Sequence, residues 1–129
     1  MIRYLSAAWL ARLPAADVAA GPTGSPSDGV TIRHVVRGAP DGEAVYDVRV
    51  VGGTARVQRA GTQRAELTVF SDYGTAAAIA SGRLSPQEAL AAGAVKLRGE
   101  LAGAGAAVAG TAWTDPLPAA LRSVTEVPR

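Results

Sequence analysis

The sequence contains no cysteine, a single histidine, His34, and a single lysine, Lys96. Without cysteine, disulfide bonds, thiolate catalysis and cysteine-ligated metal sites are excluded. With one histidine, a histidine-based metal centre is also an unfavourable interpretation. We therefore expect neither a metal ion nor another cofactor.

Long apolar runs and strong net charge are missing as well. No apolar run approaches the roughly 18 residues that a bilayer-spanning helix requires, and Arg12 interrupts the apolar stretch near the N-terminus, which disfavours a secretory signal. A formal net charge of +2 is too small to predict nucleic-acid binding. We expect a single domain over residues 1–129 that is cytoplasmic and binds no nucleic acid.

Alternation of apolar and polar residues predicts five strands. Turn sequences separate them, notably Pro40-Asp41-Gly42 and a two-residue Gly52-Gly53 hairpin that sets Val57 opposite Val48. The predicted strands cover residues 30–38, 44–51, 54–59, 64–70 and 94–98.

Two registers are open for the first hairpin. If paired residue numbers sum to 80, Arg33 lies opposite Asp47, whereas a glycine bulge in the turn favours a sum of 82 and places Arg33 opposite Arg49. Both registers leave His34 and Tyr46 on the apolar face.

Helix signals are clearest after the fourth strand. Asp72 is an N-cap candidate for a helix that ends at Gly82, and Ser85-Pro86-Gln87-Glu88 is a capping box for a second helix that ends at Gly93. Apolar spacing also predicts a helix over residues 2–13. A weak helix over residues 101–110, a final helix that starts at residues 115–116 and a mobile loop over residues 14–29 complete the prediction.

The order of these elements is a helix, four antiparallel strands, two helices, a strand and further helices. It predicts an α+β fold: a five-stranded, mostly antiparallel sheet with helices packed on one face. The segment after the fourth strand is similar to the signature half of the sterol carrier protein type two family, and the order of elements over roughly residues 1–125 fits that family. The residues that carry the resemblance are Gly82, Ser85, Gln87, Leu90, Gly93, Val95, Leu97 and Gly99.

The resemblance implies that the sheet and helices enclose an apolar tunnel, and that the chain binds or transfers a hydrophobic small molecule (a lipid, sterol-like or polyketide-like compound) without being an enzyme. No catalytic residue is carried over. The residues predicted to line the tunnel are Ile32, His34, Val36, Tyr46, Val48, Val57, Leu67, Val69, Ile79, Leu90, Leu97, Leu101 and Leu117.

The alternative is a small cavity enzyme, an isomerase or cyclase of a biosynthetic pathway, in which His34 and Tyr46 supply acid–base groups. On the other side of the sheet, an excess of arginine indicates a solvated surface or a weak contact with an anionic membrane. The oligomeric state is left open between a monomer and a homodimer.

Overall fold

The structure, a computed structural model, describes residues 1–15, 29–51, 54–62, 64–99 and 121–127. It combines strands with short helices, which confirms the α+β class. In chain order the described elements are β1 (Ile2–Arg3), α1 (Ala7–Ala11), β2 (Gly29–Arg37), β3 (Ala44–Val51), β4 (Thr54–Arg59), β5 (Leu67–Asp72), α2 (Tyr73–Ala80), α3 (Pro86–Ala91), β6 (Lys96–Gly99) and β7 (Thr125–Glu126).

The five strands β2 to β6 form one sheet in the order β4-β3-β2-β5-β6. Three of the neighbouring pairs are antiparallel, so the mostly antiparallel sheet is confirmed. The expectation that the first four strands are all antiparallel was wrong, because β5 lies beside β2 and runs parallel to it. Alternation along a strand shows which face each side chain takes, but it does not identify the neighbouring strand.

The connection from β4 to β5 is anchored on β2 and β3. Gly61 N donates to Asp47 Oδ2 at 3.0 Å, and Arg33 Nη2 donates to the Gly61 carbonyl at 3.0 Å. At the far end of the connection, Glu66 N donates to the Thr31 carbonyl. These contacts hold the short crossover that lets β5 enter the sheet beside β2.

The first hairpin takes the register in which residue numbers sum to 80. Arg33 pairs with Asp47 across the strands, and an ion pair of 2.9 Å joins Arg33 Nε to Asp47 Oδ1. The other register would have placed Arg33 opposite Arg49, where like charges repel. Val48 lies opposite Val57, as the sequence predicts.

The two helix starts after β5 are confirmed by their caps. Asp72 Oδ1 accepts a hydrogen bond from Thr75 N at 2.7 Å, and Ser85 Oγ accepts one from Glu88 N at 3.1 Å. Each side chain satisfies a backbone donor that has no partner within its own helix.

The predicted ends are confirmed too. Gly82 and Gly93 follow α2 and α3 with φ of 78° and 76°, a conformation that glycine adopts without steric cost. Strand β6 begins at Lys96, later than predicted, because Val95 N still donates back to the Ala89 carbonyl.

The predicted helix over residues 2–13 was wrong in its first half. Ile2–Arg3 forms β1, which pairs in parallel with β7, and the helix covers only Ala7–Ala11. Leu5 has a positive φ of 59°, and the Ser6 side chain caps α1 by accepting from Trp9 N. The pairing of β1 with β7 joins residues that are far apart in sequence. The spacing of apolar residues near the N-terminus therefore could not predict it.

The sheet has an inner face, which belongs to the core, and an outer face. Inner-face side chains form one buried cluster with residues of α2, α3 and the N-terminal segment, so the prediction of helices packed on one face is confirmed. The buried inner-face residues are Ile32, His34, Val36, Ala44, Tyr46, Val48, Val57, Leu67 and Val69. The outer face carries Arg33, Arg37, Asp47, Arg49, Arg56, Lys96 and Arg98.

Several predictions lie outside the described residues. They are most of the loop over residues 14–29, the Gly52-Gly53 turn, the weak helix over residues 101–110 and the start of the final helix. Leu101 and Leu117, both predicted to line the tunnel, belong to this group.

Candidate functional site

The N-terminal segment packs on part of the inner face. The Trp9 ring is fully buried and makes edge contacts with Tyr4 and Tyr46, with ring centroids 5.1 and 6.4 Å apart. Trp9 Nε1 donates to Thr125 Oγ1 at 2.9 Å, so the polar end of the indole is satisfied within the core. Trp9 therefore fills this part of the inner face.

His34 lies beside Tyr46 on this same face. The two rings are parallel within 4°, and their centroids are 4.7 Å apart. Register pairs the two residues directly across β2 and β3, which explains the stacking. His34 is only 6% exposed, so any reactant that used it would have to enter the core.

The described residues of the predicted tunnel lining divide into a buried group and an accessible group. The buried group consists of the predicted lining residues on strands β2 to β5, from Ile32 to Val69. Ile79 and Leu97 are half-buried and pack against the core, while Leu90 is 37% exposed. The accessible group therefore belongs to the α2–α3 hairpin and to β6, the strand that follows it.

A cleft of about 500 Å³ lies at the β5–β6 end of the sheet. This volume falls in the range of small-molecule sites. Among the described residues of the predicted tunnel lining, Leu97 is the one that borders this cleft. We call this space the β6 cleft, and its lining residues are Arg37, Phe70, Ser71, Asp72, Ala94, Lys96, Leu97 and Arg98.

The β6 cleft combines apolar walls with a basic rim. Phe70 and Leu97 lie on opposite faces of the sheet and are both half-buried, so each presents some apolar surface that a guest could cover. Lys96 and Arg98 are exposed and alternate with Leu97 along β6. An amphiphile, apolar in one part and anionic in another, matches this arrangement.

Sequence reasoning identified Leu97 but missed Phe70. Alternation places Phe70 on the outer face beside Thr68, away from Leu67 and Val69. An aromatic residue at a position of the polar face was the available signal, because a solvated sheet surface has no need of one.

A second, smaller cleft of about 330 Å³ lies near the paired chain ends and is lined by Arg3, Gly38, Pro40, Tyr73 and Glu126. Tyr73 Oη donates to the Tyr4 carbonyl at 2.9 Å. Burial raises the pKa of Tyr73 above its usual value of 10.0, Arg3 opposes that shift, and Glu126 adds to it. The phenol therefore stays protonated at neutral pH and serves as a hydrogen-bond donor.

In the described part of the chain, no group of three histidine, aspartate or glutamate side chains is placed to hold a metal ion. Among the described helices, none has the length and apolar character to cross a bilayer.

No protein-family model and no curated protein sequence matches the chain. Solved structures do match. A conserved hypothetical protein of Thermus thermophilus, described as a candidate sterol carrier protein, is 22% identical with a TM-score of 0.52, over 78% of this chain and 73% of that one.

Two further matches have lower structural scores. A crystal structure of sterol carrier protein 2 is 20% identical with a TM-score of 0.48, over 70% of this chain and 78% of its own. Sterol carrier protein 2 like 2 of Aedes aegypti is 22% identical with a TM-score of 0.45, over 70% and 81%. At these identities the similarity to the Thermus protein establishes the fold, so the predicted resemblance is confirmed at the level of fold.

Proposed function

We propose that this chain binds or transfers a hydrophobic small molecule without catalysing a reaction, and that the guest enters at the β6 cleft. The observation that supports the proposal is a space of about 500 Å³ bordered by half-buried Leu97 and Phe70. The sterol carrier-like fold is consistent with it. Lipids, sterol-like compounds and polyketide-like compounds all belong to the proposed ligand class.

Burial of apolar surface supplies the driving force for such binding. A guest that removes about 200 Å² of apolar area from water gains about 5 kcal/mol. Association costs offset part of this gain, so a few polar contacts are needed to raise affinity and fix orientation. Lys96 and Arg98 stand at the rim, where they can contact a polar or anionic end of the guest.

The enzyme alternative, with His34 as acid or base, receives less support. The His34 ring is 6% exposed and stacks on Tyr46, and neither residue borders the β6 cleft. A structural role for His34 explains this packing directly, whereas turnover would require the substrate to displace buried side chains.

We expect the substitution Leu97→Gln to weaken the binding of a neutral apolar fluorophore, N-phenyl-1-naphthylamine, by about tenfold or more, because it removes apolar contact and places an amide against the guest. Leu10→Gln is the matched control. Leu10 is also a half-buried leucine that packs on the core, but it lies on α1 and does not border the β6 cleft. Fluorescence titration measures both affinities.

Equal probe affinity in wild type, Leu97→Gln and Leu10→Gln would contradict the proposed site. Loss in both variants would indicate a general disturbance of the core rather than contact at the cleft. Far-ultraviolet circular dichroism of each variant checks that the fold is retained.

A further inference from the structure

The outer face of the sheet carries more basic side chains than the two, Lys96 and Arg98, that can contact the polar end of a guest. Four of them are exposed and Arg49 is half-buried. We call this set the outer basic surface, and its residues are Arg37, Arg49, Arg56, Lys96 and Arg98.

Nearby carboxylates do not balance this surface. Asp47 is committed to Arg33, with Nε–Oδ1 and Nη2–Oδ2 distances of 2.9 and 3.2 Å. Among the described residues, the other carboxylates near this face are those of Glu43, Glu66 and Asp72, and Asp72 is the register partner of Arg37. They are fewer than the basic residues, so the face keeps a positive potential.

One pair of strands holds like charges directly opposite each other. Arg49 and Arg56 are register partners on β3 and β4. Like charges in this position destabilise a sheet. Arg49 Nη1 donates to Thr31 Oγ1 at 2.9 Å, whereas Arg56 is exposed on the edge strand β4 and adds positive charge to the face.

Three of these basic side chains, those of Arg37, Lys96 and Arg98, lie beside an apolar patch of the outer face. Val35 lies between its register partners Val45 and Phe70, and all three are half-buried on the outer face. Lys96 is in turn the partner of Phe70 across β6. Apolar surface with cations beside it is complementary to a lipid interface, where head-group phosphates lie just outside acyl chains.

We propose that the outer face docks this protein on an anionic lipid bilayer, with Lys96 and Arg98 contacting phosphate groups and Phe70 reaching the head-group boundary. The β6 cleft opens beside these residues, so docking places the cleft at the membrane surface. A guest can then pass between bilayer and cleft without crossing bulk water. Docking itself does not require that a guest be bound.

The test is co-flotation of the wild-type chain with vesicles of phosphatidylcholine alone or of equal parts phosphatidylcholine and phosphatidylglycerol. We expect binding to the anionic vesicles only, and weaker binding as salt is added. Each basic side chain near the surface contributes about fivefold to affinity, so the double variant K96Q/R98Q should bind about 25-fold more weakly.

Arg83→Gln is the matched control. Arg83 is exposed in the turn between α2 and α3, which packs on the opposite face of the sheet. Its neutralisation should leave vesicle binding unchanged.

Four outcomes would overturn the proposal: equal binding to neutral and anionic vesicles, salt-independent binding, unchanged affinity of K96Q/R98Q, or equal weakening by Arg83→Gln. Tighter binding to a single-stranded oligonucleotide than to anionic vesicles at the same salt would also overturn it. Binding of N-phenyl-1-naphthylamine to the wild-type chain is measured separately by fluorescence titration. If the chain binds anionic vesicles but not this probe, the guest site is refuted and the docking proposal is retained.

Discussion

Replacing Trp9 by alanine is expected to destabilise the protein by about 3–5 kcal/mol, because a fully buried indole is removed from the core. The substitution deletes the edge contacts with Tyr4 and Tyr46 and leaves Thr125 without its indole donor. Urea denaturation followed by circular dichroism measures the change in the free energy of unfolding. A loss of this size amounts to a large part of the stability of a typical domain.

Trp9→Phe removes less of the side chain than Trp9→Ala. It keeps a six-membered aromatic ring in the core and removes the remaining part of the indole with its N–H, so we expect a smaller loss of about 1–2 kcal/mol. If Trp9→Ala cost less than Trp9→Phe, or cost nothing, Trp9 would not be a core residue. A role for Trp9 in contact with the guest would then replace the structural one.

The second large effect is expected at Asp47, the buried carboxylate of the outer face. Asp47→Ala should cost about 3 kcal/mol, since breaking a buried ion pair leaves a charge without compensation. We take the low end of the usual range because the Arg33 side chain is 24% exposed. The substitution also removes the acceptor of Gly61 N, which anchors the crossover from β4 to β5.

A double-mutant cycle with Arg33→Ala isolates the pairwise part of this loss. We expect the double variant to be less destabilised than the sum of the two single variants, because neither charge is then left alone. Strict additivity in urea denaturation would show that the two side chains contribute independently, contrary to the geometry.

Much of the fold was predictable because its signals are local. The alternation along β2 and β3 assigned Ile32, Tyr46 and Val48 to one face, and these residues are buried there. The caps Asp72 and Ser85 marked the two helix starts because a short polar side chain before a helix satisfies its free N–H groups.

What could not be predicted depends on contacts between distant parts of the chain. The pairing of Ile2 with Thr125 joins residues whose neighbours in sequence carry no sign of each other. The parallel pairing of β2 with β5 likewise depends on how the crossover through Gly61 is held. Local periodicity shows how a strand is exposed, and tertiary contacts decide where it lies.

The candidate site was predicted in part for the same reason. Apolar residues at alternate positions of a strand indicate that this face of the sheet is covered. They do not show where side chains from other elements fill the space above the sheet and where space is left. Trp9 and Tyr4 fill the part around Tyr46, whereas accessible volume occurs at the end near Leu97. Alternation predicted a charged outer face that includes Arg37, Arg49 and Arg56, but the position of Phe70 between Val35 and Lys96 became visible only with the register.

The central claim, that the chain carries a hydrophobic guest, is tested most directly by native mass spectrometry of the wild-type protein purified without organic solvent. We predict a discrete adduct with the mass of a lipid-like molecule, lost on extraction with organic solvent and regained when the extract is returned. Spectra that show only the bare chain, before extraction and after the extract is added, would contradict the account.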